Sequence, residues 1–239
     1  GEATSAPQRR RQLIAQRETL LRCERQYGEA AAAWREAVEA LALRPQHAGR
    51  TGEALAQAML DKMLGREEMG LRLVAGGRDR AATHALNVSV VAMLIGRSLG
   101  LAEPDMLDVG VGALMHDVGK QDVAERYRHA DEHCSPAEAA AYREHVARGV
   151  TQGRRMALSP GALTVLAQHH EHADGSGFPR RIGTDQMSLA ARIVGIVNCY
   201  DNLCNPAARS VALTPHESVA TLFAHGPGRF DATVLNAFI

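Results

Sequence analysis

Aromatic residues are scarce in this chain of 239 residues, at 4% of the composition. With abundant Ala and Leu, that scarcity leans towards helices rather than sheets, so an all-α chain is expected. Net charge is also missing: 27 Lys plus Arg balance 27 Asp plus Glu. The summed field therefore gives no reason to expect nucleic acid or a membrane surface as a partner, although it does not exclude a small anionic ligand. Arg9, Arg10 and Arg11 form a strongly basic local cluster, which reads as a solvated helix start. Cys23, Cys134, Cys199 and Cys204 make no CxxC pair and sit in a sequence without a signal-peptide-like apolar stretch, so reduced thiols and a cytoplasmic location are expected. No apolar run approaches membrane-spanning length. The opening Gly1 to Pro7 and the end at Phe238-Ile239 read as cut points, with flanking regions expected beyond them.

What is present is a series of amphipathic helical patterns. Leu13, Leu20, Tyr27, Trp34, Val38 and Leu41 recur at heptad-like spacing from about Gln8 to Leu43, which predicts one long helix or two shorter ones. Such a helix could pair with a partner or pack on the chain's own next domain. Arg44-Pro45 through Gly52 breaks the pattern and reads as a linker, dividing an extension over 1–50 from a domain over 51–239. Leu55, Met59 and Met63-Leu64 predict a further helix over Glu53 to Leu73, closed by Gly76-Gly77. His84, Val88, Val91 and Ile95 share one face of the next, which turns His84 inward. Asp105 to Val118 reads as another helix, with His116-Asp117 at its end.

Downstream, Ser135-Pro136-Ala137-Glu138 and Thr214-Pro215-His216-Glu217 combine a capping box with proline at the first helical position. Ser159-Pro160 is a weaker start of the same kind, and Ser188 caps a helix running through Ile193, Ile196, Val197 and Tyr200. The last capped helix offers Val219, Leu222 and Phe223 as a packing face. Asp174 to Pro179 is too rich in Gly and Pro for regular structure and forms a loop.

A lone histidine on an apolar helix face is more often a core residue than a ligand. The set alters that reading, because His84, His116, His145, His169 and His170 all fall on inward faces or ends of predicted helices. Asp117 beside His116 is suited to bridging two cations. Imidazole with carboxylate suits Fe, Mn, Ni, Co or Zn rather than Ca or Mg. His47, His129, His133, His172, His216 and His225 fall in loops, turns or helix starts and read as structural or solvated.

His116-Asp117-Val118-Gly119-Lys120, His145 with Gly149, His169-His170-Glu171 followed by Asp174 to Pro179, and Ala191-Arg192-Ile193 leading to Tyr200-Asp201 occur in one order. In this the chain resembles the HD-GYP family, a branch of the HD phosphohydrolases that hydrolyses cyclic di-GMP, from about Arg80 to Glu217. The resemblance implies an HD-type helical bundle and two transition-metal ions, Fe or Mn first and Ni, Co or Zn next. One ion would be held by His84, His116 and Asp117, and the other by Asp117, His145, His169 and His170. Lys120 would sit near charge developing on phosphorus. Gly177, Phe178 and Pro179 would contact substrate, and the family also uses this loop to dock diguanylate cyclase (GGDEF) domains. Asp201 would support a ligand histidine.

The chain also departs from the family. Asn198 stands where the family supplies a further aspartate ligand, and an amide brings no charge to offset a cation. Phe178 replaces tyrosine, which removes a hydroxyl. Arg80 occupies the place of an acidic ligand to a third ion. Asn205-Pro206-Ala207-Ala208 lacks the family's basic phosphate clamp, leaving Arg209 as its candidate. Two readings follow: a metal-dependent phosphodiesterase converting cyclic di-GMP to pGpG and on to GMP, with activity weakened at Asn198, or a degenerate domain acting as nucleotide sensor or interaction module. The N-terminal helix suggests a homodimer.

Overall fold

Polar residues that accept from the first free N–H groups set most of the helix boundaries. A computed structural model of the chain describes residues 6–65, 79–129, 134–207, 211–224 and 228–238. Among them are nine α-helices: α1 (Ala6–Ala40), α2 (Pro45–Leu64), α3 (Arg80–Ser98), α4 (Glu103–Met115), α5 (Pro136–Arg155), α6 (Pro160–Gln168), α7 (Leu189–Cys204), α8 (Pro215–Ala224) and α9 (Ala232–Asn236). Short 3-10 turns cover Val118–Asp122, Glu125–Tyr127 and Thr184–Gln186. Extended pairing among the described residues is limited to one isolated bridge between Asp174 and Gly183. The all-α expectation holds.

Ser135 and Glu138 close a full capping box on α5, and Thr214 and Glu217 exchange the same pair of bonds at α8. Ser159 and Ser188 cap α6 and α7 as expected. Asp79 and Asp231 do the same for α3 and α9, and neither start is evident in the sequence pattern.

The stretch 44–52, read as a linker, is instead the first two turns of α2. Pro45 sits where its missing N–H is no loss. Gly49 and Gly52 serve close packing rather than a chain break: a Cβ on Gly49 would lie 2.2 Å from the Met156 carbonyl oxygen, and one on Gly52 2.5 Å from Met115 Cε. Of the helix expected over Glu53 to Leu73, the part up to Leu64 is present. Residues 66–78, with Gly76-Gly77, lie outside the described residues, as do His133, Arg209 and His225. Helix α4 stops at Met115 rather than Val118, because the chain tightens there into the 3-10 turn that carries Lys120.

Helices α3, α4, α6 and α7 pack together around Val88, Met93, Val109, Val165, Ile193 and Val197. A second buried cluster joins α1 and α2 to them through Trp34, Leu41, Ala56, Leu86, Leu114 and Leu166. Each buried Leu or Val of this kind contributes about 1.5–3 kcal/mol. The indole of Trp34 donates to the Leu114 carbonyl at 2.8 Å, and the Tyr27 hydroxyl donates to the Thr83 carbonyl at 3.2 Å. The C-terminal half of α1 therefore packs on its own domain, while Leu13 (65% exposed) and Leu20 (44%) stand in solvent. On α8, Val219 and Leu222 pack inward, but Phe223 stays 40% exposed, one helical step off the buried face. No helix among the described residues is long and apolar enough to cross a membrane.

Candidate metal centre

Four helices bring the five histidines to one place. His84 lies on α3 and His145 on α5; His116 follows the last residue of α4, and His169-His170 follow α6. Backbone carbonyls one turn back do the aiming, at the ends of α4 and α6 and inside α5. The Nδ1 of His116 bonds the Ala113 carbonyl at 2.7 Å, that of His145 the Tyr142 carbonyl at 2.5 Å, and that of His169 the Leu166 carbonyl at 3.0 Å. Each carbonyl can only accept, so each Nδ1 carries the proton and each Nε2 is left with a bare lone pair. His84 is fixed in the same sense by Asp201, whose carboxylate lies 2.6 Å from Nδ1. Asp201 itself accepts from Asn87 at 3.0 Å and from Asn205 at 2.9 Å.

The bare nitrogens face one another, with 3.2 Å between Nε2 of His84 and of His116 and 3.4 Å between Nε2 of His145 and of His169. Asp117 lies between the two pairs. Its Oδ2 is 3.4 Å from His116 and 3.8 Å from His84; its Oδ1 is 3.7 Å from His145 and 4.0 Å from His169. The shielded Oδ1 has no hydrogen-bond partner. Lone pairs converging at such distances repel unless a cation lies among them, and ligands about 2.1 Å from one ion are spaced by about 3 Å. The donor set fits metal. It divides into His84, His116 and Asp117 on one side and Asp117, His145, His169 and His170 on the other, with Asp117 common to both.

Electrostatics agree with this assignment. Burial pushes the imidazoles of His145, His169 and His170 down, so they stay neutral, as ligands must. Burial alone would raise the Asp117 carboxyl, but the charge of Lys120 leads the causes that outweigh it and hold the group well below the usual carboxylate range. Lys120 Nζ donates to Asp117 Oδ2 at 2.6 Å. Burial would lower that ammonium, yet Asp117 and Tyr142 raise it, so it stays charged.

The other expected residues surround these groups. Phe178 stacks on His170 with ring centroids 4.5 Å apart, and Arg143 lies over the Phe178 ring at 5.2 Å. Phe178 and Pro179 are joined by a cis bond. Gly177 is held so close to the histidine pair that a Cβ there would come within 2.4 Å of the His170 carbonyl oxygen. Asn198 is buried, and its amide oxygen accepts from Asn202 at 2.8 Å.

Three further residues received no role from the sequence. Glu171 is buried and accepts from the backbone N–H groups of Arg180 (2.6 Å) and Ile182 (3.1 Å), which fixes the return of the 174–183 loop. Tyr142 places its hydroxyl 3.3 Å from His170 Nε2, and its ring lies under Lys120. His129, read as structural or solvated, is exposed, and it also borders a cavity with His84, Asp117 and Lys120. A tyrosine one helical turn before His145 and a glutamate directly after a histidine pair were the available signals; nothing in the sequence singled out His129.

If Asp201 orients His84, Asp201→Ala weakens metal binding at the His84 side about 10- to 100-fold, the usual effect of losing a partner that orients a ligand. Titration of metal-free protein with Mn²⁺ checks this, and an unchanged affinity would contradict the role.

A family model described as an HD domain matches residues 38–234. Relatives include a cyclic di-GMP phosphodiesterase of Pseudomonas aeruginosa, 27% identical over 161 residues, which are 65% of this chain and 38% of that protein. A 3'3'-cGAMP-specific phosphodiesterase of Vibrio cholerae is 31% identical over 134 residues, 55% of this chain and 29% of that protein. The chain thus spans well under half the length of these relatives. Among solved structures, the HDG"Y"P protein Bd1817 from Bdellovibrio bacteriovorus superposes with a TM-score of 0.72 at 17% identity, covering 87% of this chain and 68% of that one. This likeness bears on the fold. With the match spanning most of its length and the ligand motifs in order, the chain belongs to the HD domain family, as a divergent member of the HD-GYP branch.

Proposed function

We propose that this chain is a metal-dependent phosphodiesterase that opens a cyclic dinucleotide, with cyclic di-GMP as first candidate and pGpG as product. The observation that carries the reading is the pair of donor clusters sharing Asp117, in which Nε2 of His84, His116, His145 and His169 is left as a bare lone pair by the bond that each Nδ1 makes. His84, His116 and Asp117 would hold one ion, and Asp117, His145, His169 and His170 the other. When bound, two such ions supply Lewis-acid charge and a nucleophile at neutral pH for in-line displacement at phosphorus. Water adds to one phosphorus, the bond from that phosphorus to the 3'-oxygen breaks, and the released oxygen takes up a proton. Protonated Lys120 would lie against a phosphoryl oxygen, and the His170–Phe178 stack would border the substrate. The phosphodiesterase names of the relatives favour hydrolysis over a purely sensory role. Incubating Mn²⁺- or Fe²⁺-loaded protein with cyclic di-GMP, and separately with 3'3'-cGAMP, tests the reading by the appearance of a linear product. No product from either would overturn it.

The N-terminal region supports a further assignment, pairing of α1 with α1 of a second copy. Leu13 and Leu20 continue the seven-residue spacing of the packed Tyr27, Trp34 and Leu41, with Ile14 and Leu21 beside them, all four of the outer residues exposed. Leu13→Glu combined with Leu20→Glu is expected to convert a dimer to a monomer in light scattering; a wild-type chain that is already monomeric would refute the pairing.

A further inference from the structure

Among the described residues, the cavity beside the His84 cluster is lined by Arg80, Lys120 and Arg128 against a single carboxylate, Asp117. It measures about 220 Å³, and its walls include Arg80, Asp117, Lys120, Arg128, His129 and Trp34. The acids are already engaged: Asp117 with Lys120 and the ligand imidazoles, and Asp201 with His84, Asn87 and Asn205. Among the described residues, neither Arg80 nor Arg128 forms an ion pair with a carboxylate. Arg80 donates to the Pro206 carbonyl, which ties the start of α3 to the end of α7. Arg128 is anchored to its own turn, with Nε donating to the Val123 carbonyl at 3.0 Å. Burial, with Lys120 and Arg80 next, pushes His129 down towards its neutral form. Asp201 and Asp117 lie near enough to favour the Arg80 guanidinium, but both carboxylates are bonded elsewhere, and among the described residues Arg80 and Arg128 have no ion pair of their own, so the mutual repulsion of these cations is relieved by an anion.

We infer that Arg80 and Arg128 form an anion subsite that holds the second phosphate of a cyclic dinucleotide, the one not being cleaved. This rests on the phosphodiesterase reading and adds a source of affinity to it. The stretch 205–208 carries no basic side chain, and Arg209, the clamp candidate after it, lies outside the described residues. Arginine suits the task because its planar fork is always charged and meets two phosphate oxygens at once. Arg80 thereby places a phosphate ligand where an acidic side chain would have supplied a metal ligand.

The test compares wild type, Arg80→Ala, Arg80→Lys and Arg128→Ala, all metal-loaded, on cyclic di-GMP and on bis(p-nitrophenyl) phosphate, which has a single phosphate. For each alanine variant, KM for cyclic di-GMP is expected to rise roughly ten- to a hundred-fold, the loss typical of a hydrogen bond to a charged group, with a much smaller change in kcat. The loss on bis(p-nitrophenyl) phosphate is expected to be at least tenfold smaller, and Arg80→Lys to recover part of the KM. Calorimetric binding of cyclic di-GMP to the same proteins separates the two claims. Wild type that binds the ligand but does not turn it over overturns the phosphodiesterase reading alone. Equal affinity of wild type and both alanine variants overturns the subsite alone. Equal losses on both substrates would also overturn it, since that pattern belongs to a damaged fold rather than a lost phosphate contact.

Discussion

Asp117→Ala is expected to abolish hydrolysis of the cyclic dinucleotide, by about a thousand-fold or more, and to empty both halves of the metal centre together. The magnitude follows from its position: each carboxylate oxygen faces a different histidine pair, Oδ2 towards His84 and His116 and Oδ1 towards His145 and His169. Losing any one imidazole removes a donor from one cluster, whereas losing Asp117 removes the charged donor from both. The variant would also leave Lys120 without its 2.6 Å partner, a buried ammonium without compensation. Asp117→Asn isolates the charge, because the shape is kept while Lys120 faces a neutral amide oxygen in place of a carboxylate. Metal content by elemental analysis, measured beside the rate, decides the matter: if Asp117→Ala retains two equivalents of metal, the shared-carboxylate arrangement is wrong.

Comparison of Asp117 with Asn198 shows what the sequence could and could not convey. The histidines were legible because ligand chemistry restricts residue type: five imidazoles together on inward faces point to a cation, where any one of them alone would pass for core. Their aim was not legible. It is set by backbone carbonyls of Ala113, Tyr142 and Leu166, and any residue can supply a carbonyl. The place of Asn198 follows from its spacing to Asp201 on α7, but its bond to Asn202 becomes visible only when both side chains are placed.

The same distinction runs through the fold. Capping boxes at Ser135 and Thr214 are local, and they read correctly. Pro45, Gly49 and Gly52 read falsely as a linker because Pro and Gly have two meanings, chain break and close approach. The partners that decide between them, Met115 and Met156, lie far along the chain. The cationic wall of Arg80, Lys120 and Arg128 was hidden for a related reason: the residues come from separate segments with ordinary compositions, and only packing of α3 against the 118–129 segment puts them on one cavity.

Gly119 and Gly149 belong to the same family motifs, yet opposite results are expected on replacing them with alanine. A Cβ on Gly119 would lie 2.0 Å from the His145 carbonyl oxygen and 2.3 Å from the Gly149 backbone nitrogen. Both obstacles are backbone, so the Val118–Asp122 turn would have to move off α5. That movement would carry Asp117 away from His145, now 3.7 Å from it. A strained insertion of this kind costs about 3 kcal/mol, which lowers the melting temperature of a domain this size by roughly 6–12 °C, and metal binding would fall with it. Gly149 lies on the other side of the same contact, but its own Cβ would meet nothing closer than the Gly119 nitrogen at 3.6 Å, an ordinary van der Waals separation. Because Gly149 is interior to α5, alanine there is expected to be neutral or to stabilise by up to about 1 kcal/mol. Thermal melts of the two variants, each with and without Mn²⁺, make the comparison. Equal melting temperatures would mean that the close approach of the 3-10 turn to α5 is not what holds Asp117 against His145.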